Sequence, residues 1–231
     1  MTFRLALVHE SLEFAEDAFR IGSRPRERRG IGAAAEIHRL ALGMLWHPAD
    51  AEQARQDILR QAEELRVVVD DRDSRASLLG IAARHLLGRA SSDFERQGWT
   101  FEALSEDLLR GRDEPLPPNA FGDRSLALLE EMKLGCWQTM LLCLDRPHRI
   151  AYLLSTLDDM DANTGALVLG IEEAEYLARA AHAEELIRGF LETHCGLVNR
   201  EQACRCSRRL GRALVTGRVD PDELLFARRA S

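Results

Sequence analysis

An all-α fold of two helical domains follows from three observations. Apolar residues recur at three- and four-residue spacing through most of the 231-residue chain, no convincing alternating stretch marks a β-strand, and a proline-bearing segment interrupts the helical pattern near the middle. From Ala33 to Leu65 the apolar positions are Ile37, Leu40, Ala41, Met44 and Leu45, then Ala51, Ala54, Ile58, Leu59, Ala62 and Leu65. Trp46-His47-Pro48 divides them, so this stretch predicts two helices and a turn. Leu78, Leu79, Ile81, Ala82, Leu86 and Leu87 mark a third helix, and Phe101, Leu104, Leu108 and Leu109 a shorter fourth that starts at the capping residue Thr100.

Residues 111–124 read GRDEPLPPNAFGDR, in which Pro115, Pro117 and Pro118 cannot continue a helix and stiffen an extended connection. The expected domains are therefore 1–110 and 125–231, with 111–124 as the linker. Helices resume over 125–144, from Pro147 to about Asp158, over 163–169, and from Glu172 to about Glu192. Asn163-Thr164 offers an N-cap, and Gly170 a backbone that can take positive φ between two steeply crossing helices. This order is that of a helix-turn-helix, or of an ordinary helical hairpin in a bundle. Residues 1–32, with the basic run SRPRERR, receive no assignment beyond a basic segment or a loop.

Charge narrows the function. A net charge of −7 and an isoelectric point near 5.6 exclude a protein that coats nucleic acid non-specifically, since neutralising phosphates needs a positive surface. Any DNA contact must be local. No stretch approaches the roughly 18 apolar residues that span a bilayer, and Glu10, Glu13 and Glu16 interrupt any signal-like pattern, so a cytoplasmic protein without membrane contact is expected. Phosphate-binding, nucleophile-elbow, zinc-protease and dinucleotide-binding motifs are all absent, and no catalytic residue is assigned.

Five cysteines, an odd number, point to thiols or metal ligands rather than a disulfide framework. His194, Cys195, Cys204 and Cys206 together make a complete tetrahedral ligand set for structural zinc; free thiols or a redox pair are the alternatives. Cys136 and Cys143 fall within an apolar helical pattern and read as core residues. Arg205, Arg208, Arg209, Arg212 and Arg218 form a basic cluster that either meets DNA or polymerase or is a solvated helix face.

The segment DRPHRIAYLLSTLDDMDANTGALVLGIEEAEYLARAAHAEELIRGFLETHCGLV resembles the promoter-recognition domain of bacterial extracytoplasmic-function sigma factors. Its flanks are similar to one subgroup of that family, and the likeness spans 125–227. In the first half, GMLWHPADAEQARQDILR resembles the family's polymerase-binding helix, with Asp50, Ala51, Glu52, Ala54, Gln56 and Ile58 matching and Asp57 conservatively replaced. The resemblance implies a non-enzymatic transcription-initiation protein that docks on RNA polymerase core through Asp50, Glu52, Gln56 and Asp57 and directs promoter recognition. The bland reading of the same acids is a capped amphipathic helix.

Departures from the family fall on the DNA-contacting positions. Ser77, Leu79 and Gly80 stand where tryptophan, tyrosine and arginine are expected, and Asp70, Asp71 and Asp73 add negative charge, which removes a base-stacking platform. In the expected recognition helix Glu172, Glu173, Glu175, Glu184 and Glu185 face only Arg179 and Arg188. Residual DNA contact falls to Tyr176, Arg179, Arg205, Arg208 and Arg209. The alternative is a sigma-like protein that no longer reads promoter DNA and instead binds an anti-sigma or other regulatory protein, a ligand or a metal, with an enzyme on the same scaffold ranked below both.

Overall fold

A computed structural model of the chain describes residues 32–67, 72–110, 122–157 and 160–227. Among them every regular element is helical: α1 (Ala33–Leu45), α2 (Pro48–Glu64), α3 (Arg72–Gly88), α4 (Asp93–Arg96), α5 (Phe101–Leu109), a 3-10 turn at Gly122–Arg124, α6 (Ser125–Leu142), α7 (Arg146–Leu157), α8 (Ala162–Leu169), α9 (Glu173–His194) and α10 (Cys206–Val215). The expected all-α class is what the structure has. No described helix is long and apolar enough to cross a membrane. Residues 1–31, most of the expected linker (111–121), and Asp70 and Asp71 lie outside the described residues.

Contacts group the chain into two compact units that cut across the expected boundary. One unit holds the described parts of Trp99–Met140 and Ile187–Ser231, the other those of Pro25–Gly98 and Leu141–Leu186. The expected boundary falls at 111–124, whereas in this grouping α5 goes with the C-terminal segments, and α7 and α8 with α1 to α3.

In the unit built on α1 to α3, the break after α1 is made as its sequence implies. Trp46 takes φ 69°, Pro48 occupies the first turn of α2, and the His47 imidazole accepts from the Ala49 amide at 3.1 Å. Ile37, Leu40, Ala41, Met44 and Leu45 of α1 are buried, as are Ala51, Ala54, Ile58 and Ala62 of α2. Central to this unit is α3, which packs on α1, α2, α7 and α8 and buries residues around its circumference. One small residue permits a close approach: a Cβ on Gly43 would lie 2.8 Å from Leu153 of α7. At Gly80 a Cβ would lie 3.5 Å from the Val168 carbonyl oxygen of α8, an ordinary contact.

An ionic knot fastens the same unit. Glu95, in a capping box with Ser92 at the start of α4, accepts from Arg146 Nε at 2.9 Å, Arg146 Nη2 at 2.6 Å and Arg149 Nη1 at 3.0 Å. Arg149, only 3% exposed, also donates to the carbonyls of Met44 at 2.6 Å and Leu144 at 2.8 Å. Arg146 reaches the carbonyls of Leu86, Leu87, Arg89 and Ala90. These guanidinium groups therefore satisfy the C-terminal carbonyls of α1 and α3, which helical geometry leaves without partners.

In the other unit Leu128 and Met132 of α6 pack with Leu210 and Ala213 of α10 and with Val219. Buried Asp107 of α5 accepts from Arg209 Nη2 at 2.8 Å and Arg218 Nη2 at 2.8 Å, while its own carbonyl accepts from Arg209 Nη1 at 2.8 Å. Glu131 of α6 accepts the amides of Leu225, Phe226 and Ala227 at 2.7–2.9 Å, so one carboxylate satisfies three successive backbone donors of the tail.

Candidate functional site

The stripe of small apolar residues that α2 gives to the core sets the direction of its polar side chains. With Ala51, Ala54, Ile58 and Ala62 inward, Gln53, Gln56 and Arg60 are exposed, and Asp50, Glu52 and Asp57 are partly exposed. Glu52 accepts from Arg55 Nε at 2.8 Å and Nη2 at 2.5 Å and from Gln56 at 2.9 Å, with His38 Nδ1 at 3.5 Å. The Arg55 bonds, followed by that of Gln56, hold its carboxyl at about 2. Asp57, bonded first to Gln53 at 3.2 Å and also to Arg60 at 2.5 Å, is likewise held below the usual carboxylate range. Both are therefore ionised at neutral pH. Side-chain bonds along the helix fix their positions at the surface.

Helices α7, α8 and α9 meet in a tight junction. Asp161 caps α8 by accepting from the Thr164 amide and hydroxyl, each at 2.9 Å, two residues before the cap expected at Asn163-Thr164. Gly170 ends α8 with φ 66°, the left-handed conformation expected of it. Tyr176 is 1% exposed, and its ring lies where a Cβ on Gly165 would come within 2.2 Å of Cζ. Tyr176, expected as a DNA contact, is turned inward, its ring filling the angle between α8 and α9. Arg179 pairs with Glu175 one turn earlier, and Glu172, Glu173 and Glu175 are exposed.

Ser77 of α3 is exposed and Leu79 buried, and the backbone of α8 approaches Gly80. Together with Leu65, Val67, Ile81 and Leu167, this part of α3 lines an open groove of about 330 Å³. The face on which the resemblance places promoter-melting aromatics is thus occupied in part by α8.

The C-terminal basic residues have separate fates. Arg209, expected as a DNA contact, is 4% exposed and tied to Asp107. Arg205 donates to the carbonyls of Arg200 at 3.0 Å, Cys204 at 2.9 Å and Gln202, which organises the loop ahead of α10. Arg208 is exposed.

That loop carries the thiols. Cys195 and Cys204 form an isolated parallel bridge, closed by the Gly196 amide donating to the Cys204 carbonyl at 3.1 Å. A Cβ on Gly196 would meet that carbonyl oxygen at 2.3 Å, so the approach demands glycine. Asn199 donates to the Glu192 carbonyl at 3.0 Å and accepts from the Glu201 amide at 3.1 Å, which folds the loop back on α9. Cys206, first residue of α10, packs against the cluster of Leu128, Met132 and Leu210. Burial, and then the charges of Cys195 and Cys204, push its thiol up to about 11, while Lys133 and Arg209 act the other way. His194 instead lies against Phe190, ring centroids 4.6 Å apart.

Sequence reasoning did not connect Cys136 to this group. Burial pushes the Cys136 thiol far above its ordinary range, and the charges of Cys206, Cys195 and Cys204 add to the rise. None of the five cysteines is in a disulfide. Among the described residues no three His, Cys, Asp or Glu donors stand ready-arranged around an ion position. The 58 residues between Cys136 and Cys195 carry no spacing signal; the packing of α6 on α10 is what sets Cys206 against the cluster that holds Met132.

Comparison with protein-family models, with curated proteins and with solved structures found no match.

Proposed function

We propose that the chain is a sigma-like transcription-initiation protein that docks on core RNA polymerase through the outward face of α2. The observation that carries this reading is the division of α2 into a narrow buried stripe and an outward set of Asp50, Glu52, Gln56 and Asp57, with Glu52 and Asp57 held ionised by Arg55, Gln53 and Arg60. An anionic surface with fixed side chains suits a cationic or amide-rich partner surface and loses little side-chain freedom on docking. In this reading α7, α8 and α9 are the helix-turn-helix, with Asp161 as cap and Gly170 as turn. The protein then works in the cytoplasm, where polymerase is.

A second reading, docking without promoter recognition, is favoured by specific side chains. Tyr176 and Arg209 are buried, Arg205 is spent on loop carbonyls, Arg179 is paired with Glu175, and the start of α9 presents three exposed glutamates. Repulsion from phosphate would have to be overcome by contacts made elsewhere. An anti-sigma or other regulatory protein is the expected further partner in that case.

Purified core polymerase mixed with the chain tests both. Reversing charge at Asp50 and Glu52 to arginine is expected to weaken core binding at least about tenfold while leaving the helical circular dichroism intact. Binding with promoter opening selects the first reading, and binding without opening the second. Failure of the unaltered chain to bind core polymerase would refute both.

A further inference from the structure

Four cysteines occupy one region of the unit that contains α5, α6 and α10, and they come from three places: Cys136 from the middle of α6, Cys195 just after α9, and Cys204 and Cys206 at the entry to α10. Their proximity rests on packing. Leu128 and Met132 of α6 lie against Leu210 and Ala213 of α10, Cys206 packs on the same cluster, and Cys136 follows Met132 by one helical turn. The bridge between Cys195 and Cys204 sets those two backbones about 5 Å apart. Gly196 and Arg205 then hold the loop in that conformation.

We propose that Cys136, Cys195, Cys204 and Cys206 form a four-thiolate structural site for zinc(II), with Cys136 as the fourth ligand rather than His194. His194 lies against the ring of Phe190, which itself lies against Phe101 at 5.3 Å, whereas Cys136 stands one helical turn from Met132, in the cluster on which Cys206 packs. Four thiol groups in one partly buried region are the donor type that a soft, tetrahedral divalent cation takes. Binding releases four thiol protons and leaves a complex of net charge −2, beside which Lys133 and Arg209 supply compensating positive charge. Closure requires rotation about the single side-chain torsion of each cysteine, because the thiols do not yet stand around one point. A closed set of four ligands leaves no position for substrate water, so the role is to staple α6 to the end of α9 and the start of α10. The site is independent of the polymerase reading, whose residues belong to the other unit.

The test begins with the unaltered chain, purified under reducing conditions and incubated with zinc(II) alone. One zinc per chain and an X-ray absorption spectrum with four sulfur neighbours at about 2.3 Å are expected. Three sulfurs and one nitrogen would overturn the assignment in favour of His194. Absence of stoichiometric zinc, iron in its place, or a mass two hydrogens lighter on omitting reductant, which marks a disulfide, would overturn the zinc site altogether. As a second arm, Cys136→Ser is expected to lose stoichiometric zinc and His194→Asn to keep it. Should Cys136→Ser fail to fold, the absorption spectrum of the unaltered chain still decides.

Discussion

Replacing Glu95 by glutamine removes one charge from the knot that ties α1, α3, α4 and α7, and changes almost no volume. Glu95 receives four donors on two oxygens: Arg146 Nε and Arg149 Nη1 on one, Arg146 Nη2 and the Ser92 amide on the other. Burial pushes its carboxyl upward, but the Arg146 bonds, the Ser92 amide and the Arg149 charge outweigh it and hold the group at about 2 against an ordinary 4.5. That difference corresponds to about 3 kcal/mol of preference for the ionised form. The glutamine amide also turns one acceptor into a donor facing a guanidinium, and leaves the Arg149 charge buried without its counter-ion. A loss of about 3–5 kcal/mol is therefore expected, a large part of the stability of an ordinary domain. Urea unfolding followed by far-ultraviolet circular dichroism measures it. Because the folded pKa lies below the unfolded one, the contribution of Glu95 is complete above about pH 4.5 and is lost as pH falls towards 2. The stability gap between the unaltered chain and E95Q should accordingly shrink over that window. A loss under about 1 kcal/mol at neutral pH, or a gap that does not change with pH, would refute the reasoning.

Asp107→Asn should destabilise the other unit by about 3–5 kcal/mol in the same assay, since Arg209 is buried against it. Burial opposes but Arg218 and Arg209 dominate in holding Asp107 below its ordinary 3.8, so its contribution is present above that pH and lost as pH falls below it. Gly165→Ala forces the ring of Tyr176 out of the angle between α8 and α9 and should cost about 1–3 kcal/mol, with altered near-ultraviolet dichroism; an unchanged urea midpoint would show that the ring does not occupy that place.

What could be read from the sequence was local. Pro48 after a run of apolar residues marked the α1 to α2 break, Thr100 accepts from the Ala103 amide at 3.1 Å to open α5, and Gly170 has the positive φ its position between two apolar runs implied. The cap of α8 lies two residues before the expected Asn163 because aspartate, asparagine and threonine all compete for that role in the run Asp161–Thr164. The grouping of helices was not legible. It depends on Arg149 reaching the Met44 carbonyl across 105 residues and on Gly43 admitting Leu153 of α7, neither of which leaves a periodic trace. Cys136 was hidden for the same reason: its spacing from Met132 and Met140 is what any buried helical residue would show.

The departures from the sigma-factor pattern gain a common physical account once α8 is placed on α3. The backbone of α8 lies over position 80, the Val168 carbonyl oxygen 3.5 Å from where a Cβ would stand, and Leu79 turns into the core. Tyr176 closes the same arrangement from α9 by filling the space that Gly165 leaves open. On the proposed reading, surfaces that would meet promoter DNA are thus spent on internal packing, and a DNA-reading state would have to give that packing up. The polar face of α2 is under no such constraint, since its acids are held by bonds within the helix and by neighbouring His38 and Arg89. On the proposed reading, polymerase docking and promoter opening would therefore depend on different side chains, and a substitution on α2 that abolishes docking should leave the packing of α3, α8 and α9 untouched.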